Sequence, residues 1–276
     1  METIKQLRQM LQAEKVEGRE RPWGYGLFQR GPSIYITRLL LTLPITPNQV
    51  TFAGILIGLL GCYLVYLPNF WLNLTGIFLL YCNILSDKID GEMARYKKIF
   101  SLRGIYLDNI NHLVIPPLFF LAAAFGIGST TTINPILIIF FGTTAALAMS
   151  LIRTGWSIAP QIFAKKYLKR PELFSLPQPT IETAIEKIKK RHTVLKTMLG
   201  VVHQFQEFFM ILMVFFVGLI VERMFFPDHF FHPLTSWLIV AFGILLPLIF
   251  IENCIKGFFD VEQKIADLKS RFIDLK

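Results

Sequence analysis

Charge is scarce in this sequence: 17% of its 276 residues are Asp, Glu, Lys or Arg, against 53% that are hydrophobic. Cysteine is scarcer still. Cys62, Cys82 and Cys254 stand far apart in apolar surroundings, in neither a disulfide framework nor a zinc-ligand spacing. They read as small core residues. The first 30 residues are polar and charged, so no cleavable leader is expected. No internal repeat or low-complexity tract is evident. These absences exclude a disulfide-stapled secreted domain, a structural zinc module and a solvated disordered chain.

What is present is a set of long apolar runs. Six stretches, at 50–67, 70–85, 105–127, 133–152, 199–221 and 233–255, are long enough to cross a bilayer as helices. Runs such as "EFFMILMVFF", among 26 phenylalanines, read as lipid-facing. Of the 28 Lys and Arg, all but Arg223 fall in segments on the side of the two termini. The positive-inside rule therefore places both termini in the cytoplasm. The formal charge of +9 is a cytoplasmic feature that suits anionic lipid, and nucleic acid is not expected as a partner.

The predicted class is an all-α integral membrane protein. Residues 1–31 form a cytoplasmic N-terminal segment that begins with the helix-like "METIKQLRQMLQAEKVE". Residues 32–276 form the membrane domain, with a cytoplasmic insert at about 156–196. "SIYITRLLLTL" is too short to span and reads as an interfacial amphipathic helix on the inner leaflet. Thr46, Pro47 and Gln49 then make a capping box with proline at the first helical position, which opens the first span.

The chemistry concentrates in "SDKIDGEMARYKKIFSLRGIYLDNINH", residues 86–112. Asp87, Asp90, Gly91 and Ala94 fall at i, i+3, i+4 and i+7, on one helix face, and Gly104, Asp108 and His112 share a face on the next helix. A short turn makes the two helices antiparallel neighbours, so these faces converge near the cytoplasmic surface. Carboxylates at this depth are costly unless paired or metal-bound. With little basic compensation on that face, they point to a divalent cation, and an oxygen-rich site suits Mg²⁺ or Mn²⁺.

Asp87, Asp90, Gly91, Ala94, Arg95, Gly104 and Asp108 stand at the spacing D-x2-D-G-x2-A-R-x8-G-x3-D-x3-D. Seven specified residues arise by chance in a chain this long with odds on the order of one in a million. This stretch resembles the signature of the CDP-alcohol phosphotransferase family, and the six-span layout with its short interfacial helix is similar too. The pattern's last aspartate is His112 here.

The resemblance implies an enzyme that moves a phosphatidyl group from CDP-diacylglycerol to a small polar alcohol and releases CMP. It implies Asp87, Asp90 and Asp108 as ligands of Mg²⁺ or Mn²⁺, and Gly91, Ala94, Arg95 and Gly104 around the cytidine diphosphate. Asn48 and Thr51, at the mouth of the first span, are further donor-site candidates. Family members are often homodimers. Three roles stay open for His112: general base, metal ligand, or mark of a dead site. Imidazole, with an ordinary pKa of about 6.5, is a better proton acceptor near neutrality than a carboxylate.

For the acceptor, Arg153 and Lys196 at cytoplasmic span ends are candidates if it carries a phosphate. "HQFQE" would place His203 and Glu207 one turn apart in the fifth span, facing one cavity or simply paired in the bundle. Other readings compete. A CDP-choline- or CDP-ethanolamine-type donor could serve a lipid acceptor, the chain could bind nucleotide or lipid without catalysis, or it could carry metal ions. The last leaves Gly91, Ala94, Arg95 and Gly104 unexplained.

Overall fold

A computed structural model describes residues 2–16, 24–131, 133–165, 203–226 and 233–273. Among these the structure is helical, with no strand. Helix α1 (Ile4–Val16) is followed by a π-helical segment, Tyr25–Arg30, which runs directly into α2 (Gly31–Leu40). Then come α3 (Pro47–Tyr66), α4 (Phe70–Lys97), α5 (Leu102–Gly128) and α6 (Pro135–Gly155). After α7 (Ile158–Phe163), the described chain resumes with α8 (Phe208–Phe225) and α9 (Pro233–Ile273). Most of the expected insert lies outside the described residues.

Five helices are long and apolar enough to cross a membrane: α3, α5, α6, α8 and the 233–266 portion of α9. They are those of an integral membrane protein. The remaining expected span corresponds to α4, a continuous helix of 28 residues whose apolar stretch is interrupted by Asn73 and Asn83 before its carboxylates begin. The fifth expected span shifts along the chain. It is expected at 199–221; residues 199–202 lie outside the described residues, and the helix begins at Phe208, because Glu207 takes an extended backbone (φ −78°, ψ 124°) at its N-cap.

The chain divides into two compact units, one of Met1–Ser150 with Gln204–Pro247 and one of Leu151–His203 with Leu248–Lys276. In the first, α3 starts from the expected capping box: the Thr46 side chain accepts the Gln49 N–H, and the Gln49 side chain accepts the Thr46 N–H. Asn69 caps α4 by accepting from the Trp71 and Leu72 amides at 3.0 and 3.2 Å. Helices α3 and α4 pack backbone to backbone at Gly61 and Gly76. A Cβ on Gly76 would lie 2.7 Å from the Gly61 carbonyl oxygen, and one on Gly61 would lie 2.9 Å from that of Gly76. Small residues give membrane helices this closeness.

The phenylalanines need a correction. In "EFFMILMVFF", Phe209, Ile211, Leu212 and Phe215 are buried rather than turned to lipid. Phe215 packs edge-on to Phe119 of α5 at 5.0 Å and stacks on Phe242 of α9 at 5.8 Å, and Phe120 joins the cluster. Aromatic pairs in such geometries add to simple area burial. The thiols differ as well: Cys62 is buried, but Cys254 is exposed. In the second unit, Phe163 and Ile265 form a small buried cluster with Val261 and Leu268.

Candidate active site

The site is built where α4 ends and α5 begins. Lys98 closes α4 in the left-handed region (φ 53°), and its amide returns to the Ala94 and Arg95 carbonyls. Ser101 then caps α5 by accepting the Gly104 N–H at 2.9 Å. Asn48, in the first turn of α3, donates to the Ser101 hydroxyl at 3.0 Å. A Cβ on Gly104 would lie 2.7 Å from Asn48 Oδ1, so this motif glycine lets three helix ends meet. Asn48 thus latches the turn that presents α5.

Along the facing sides of α4 and α5, Asp87, Asp108 and His112 come together. His112 Nε2 lies 3.4 Å from Asp87 Oδ1 and 3.4 Å from Asp108 Oδ1. One ligand atom from each of the three falls within 4.8 Å of the others. Two carboxylate oxygens and one imidazole nitrogen at this separation suit a divalent cation, with the nitrogen favouring Mn²⁺ over Mg²⁺. Asp90 is not part of this triplet. Its Oδ2 accepts the Thr51 hydroxyl at 2.5 Å, which brings the candidate Thr51 to the site through α3.

Beneath the triplet, Asn83 bridges the three helices. Its amide donates to the Gly54 carbonyl and to Asn111 Oδ1, both at 2.8 Å. Satisfied buried amides of this kind fix helix register. Pro116, four residues beyond His112, has no N–H to offer the His112 carbonyl, a local weakening of α5 just below the site.

Gly91 and Arg95 also meet. The position a Gly91 Cβ would take is 3.4 Å from Arg95 Nη1, so the absent side chain makes room for the guanidinium. Arg95 Nε donates to the Leu11 carbonyl at 3.0 Å, and its buried Nη2 has no hydrogen-bond partner among the described residues. Ala94, on the same helix, is half-buried.

Two residues inside the motif were not anticipated. The expectation of little basic compensation needs correcting, because the Lys88 ammonium hydrogen-bonds Asp87 Oδ2. Neighbouring positions project in different directions on a helix, yet the long lysine stem reaches round to the carboxylate. The second is Glu92, which is fully buried. Its Oε1 accepts from Gln12, Arg30 and Ser33 at 2.8, 2.9 and 2.8 Å, and its Oε2 from Thr37 at 2.6 Å. Arg30 Nε donates in turn to the Tyr25 hydroxyl at 2.9 Å. Burial opposes the Arg30 charge, but Tyr25 and Glu92 outweigh it and raise its pKa above the ordinary value. The N-terminal segment is therefore fastened to the motif helix. Its only signals in the sequence are an acidic residue at a variable motif position and an isolated upstream arginine.

A cavity of 580 Å³ is lined by Ile36 and Leu40 of α2, Val50 and Ile57 of α3, and Leu85 and Ile89 of α4. The face that α2 turns inward carries Ser33 and Thr37, while Tyr35 and Leu39 are exposed.

The remaining acceptor-site candidates are more scattered. Arg153 places its guanidinium 5.6 Å from the centre of the Trp156 ring. His203 Nδ1 lies 3.6 Å from Glu252 Oε2. His203 and Glu207 do not share a continuous helix, because residues 205–207 turn between them. Lys196 lies outside the described residues.

Residues 44–221 match the CDP-alcohol phosphatidyltransferase family, and the chain belongs to it. An archaetidylinositol phosphate synthase of Pyrococcus horikoshii is 43% identical over 74 residues, which are 27% of this chain. The match spans 38% of that relative's length. Among solved structures, the phosphatidylinositol phosphate synthase of Mycobacterium tuberculosis with CDP-DAG bound aligns over 83% of this chain and 92% of its own. The TM-score is 0.52 and the identity 17%, a likeness of fold.

Proposed function

We propose that this protein transfers a phosphatidyl group from CDP-diacylglycerol to the hydroxyl of a small alcohol, releasing CMP, at the cytoplasmic face of a six-span membrane domain. The observation that carries this is the convergence of Asp87, Asp108 and His112, with Asp90 held beside them by Thr51, at the family's motif positions. By name the two relatives are an archaetidylinositol phosphate synthase and a phosphatidylinositol phosphate synthase, so inositol phosphate is the first acceptor to try.

Asp87 and Asp108, with Asp90 completing the set, would hold Mg²⁺ or Mn²⁺. A bound divalent cation supplies neutralisation of the pyrophosphate oxygens and of the departing CMP. The chain's own residues do the rest. Ala94 leaves the α4 surface low enough for the nucleotide, and Gly91 makes room for Arg95, whose Nη2 has no hydrogen-bond partner among the described residues. The apolar cavity takes the lipid part of the donor. His112 accepts the proton as the acceptor oxygen attacks the phosphatidyl phosphorus. The bond from that phosphorus to the bridging oxygen breaks, and the electron pair leaves with CMP. Arg153 and Lys196 are proposed to bind the phosphate of a phosphorylated acceptor, and His203 and Glu207 to face it. The interfacial setting of α2, cytoplasmic termini and a homodimer belong to the same proposal.

The test is CMP release by the reconstituted protein with CDP-diacylglycerol, Mg²⁺ or Mn²⁺ and a panel of alcohols headed by inositol phosphate. Acceptor-dependent CMP supports the reading. If none forms with any acceptor, while CDP-choline or CDP-ethanolamine with a lipid acceptor yields it, the donor assignment is wrong. Silence with both donor classes overturns the enzymatic reading.

A further inference from the structure

Lys88 stands between two partners. Its ammonium hydrogen-bonds Asp87 Oδ2, and it also lies 5.9 Å from the centre of the Tyr25 ring. Side-chain exposure is 18% for Lys88 and 12% for Asp87, so water screens the pair weakly. The aromatic partner is held in place. Arg30 donates to the Tyr25 hydroxyl, its guanidinium carbon is 5.5 Å from the same ring, and it is bound to the buried Glu92. A ring face attracts an ammonium ion, more strongly when both are shielded from water.

We infer that Lys88 is a built-in counter-cation that competes with a divalent metal ion for Asp87, and that Tyr25, positioned by Arg30 and Glu92, draws the ammonium off the carboxylate. The inference rests on the reading of Asp87 and Asp108 as ligands of a divalent cation. A fixed positive charge a few ångströms from a doubly charged ion weakens its binding steeply at low effective dielectric. The N-terminal segment thereby sets the cation concentration at which the site loads. Lys88 and Tyr25 are positioning residues, since neither is placed against substrate.

The experiment measures Mn²⁺ binding to the purified full-length protein by electron paramagnetic resonance of the free ion, without nucleotide. Lys88→Met removes the competing charge and should bind Mn²⁺ about tenfold more tightly or better. Lys88→Arg keeps the charge and should bind as the parent does. Tyr25→Leu removes the alternative resting place and should bind more weakly, by roughly threefold. The double variant should match Lys88→Met, because Tyr25 acts only through the ammonium. In CMP release, the Mg²⁺ concentration for half-maximal rate should fall in Lys88→Met. Loss of structure alone would weaken binding in every variant, so the opposite signs separate the two explanations.

Mn²⁺ binding that is lost in Asp108→Asn but unchanged or weakened in Lys88→Met overturns this inference and leaves the metal site standing. No Mn²⁺ binding by the parent protein overturns the metal site, and this inference with it.

Discussion

Glu92 is sealed from solvent and accepts hydrogen bonds from Gln12, Arg30, Ser33 and Thr37. Asp87, five residues earlier on the same helix, shares its oxygens with Lys88 and with an imidazole 3.4 Å away that a second aspartate also approaches. The first arrangement has a donor for each acceptor direction that matters, so it has nothing to gain from a ligand. In the second, two carboxylates and an imidazole converge, and the Lys88 ammonium pairs with one of the carboxylates. A buried carboxylate surrounded by donors is a fastener, and carboxylates crowded together are a place for outside charge. Both are written on α4 in the same type of residue. Their difference comes from what the neighbouring segments bring.

The largest expected effect breaks the second arrangement. Asp108→Asn keeps the shape of the side chain but removes a charge from the triplet. Acceptor-dependent CMP release should drop roughly a thousandfold or more, several kcal/mol of lost charge stabilisation, with the thermal midpoint in detergent retained. If the activity holds, the triplet is not the reacting centre.

Breaking the fastener should tell in stability first. Glu92→Ala leaves Arg30 buried without its counter-ion and should cost roughly 3–5 kcal/mol, read as a lower thermal midpoint. The double change Arg30→Met with Glu92→Met should be less harmful than either single change, since neither charge is then stranded. A double variant as unstable as the sum of the two would refute the pairing.

His112 sharpens the comparison at the site itself. His112→Ala should lower the turnover rate on the order of a hundredfold, as for removal of a general base. His112→Asp, which restores the family's residue, should keep most of the rate. Equal losses in both variants would argue that the imidazole, and no carboxylate, is needed at this position. The smallest effect is expected where neither cluster is touched. Gly76→Ala forces apart the α3–α4 contact that supports both and should cost about 1–3 kcal/mol, with CMP release per folded molecule unchanged.

Much of this was legible beforehand, for identifiable reasons. The capping box at Thr46 was visible because its partners are three residues apart and need no tertiary contact. Asp87, Asp108 and His112 could be paired because a short turn leaves two consecutive helices little choice but to lie antiparallel. What escaped notice depended on distance along the chain. Glu92 reaches 80 residues back to Gln12, and no local spacing announces that. The "EFFMILMVFF" run reads as lipid-facing because membrane and protein core are equally apolar, so composition cannot tell Phe215 from the exposed Val217. The start of α8 at Phe208 is not legible because the backbone breaks within "HQFQE", where helical periodicity is continuous.

By itself, the sequence determined that the chain enters a membrane, where its carboxylates cluster and which family spacing they keep. All of these depend on hydropathy and on helix periodicity, which act within a few turns of chain. Only the tertiary structure decided which carboxylate is a fastener and which joins the cluster of Asp87, Asp108 and His112. It also decided that Lys88 pairs with Asp87 and that Tyr25 stands opposite it. Those outcomes rest on electrostatics and hydrogen bonding between segments far apart in the chain, where strength depends on burial and on angstrom-scale distance. Such distances exist only once the helices have packed.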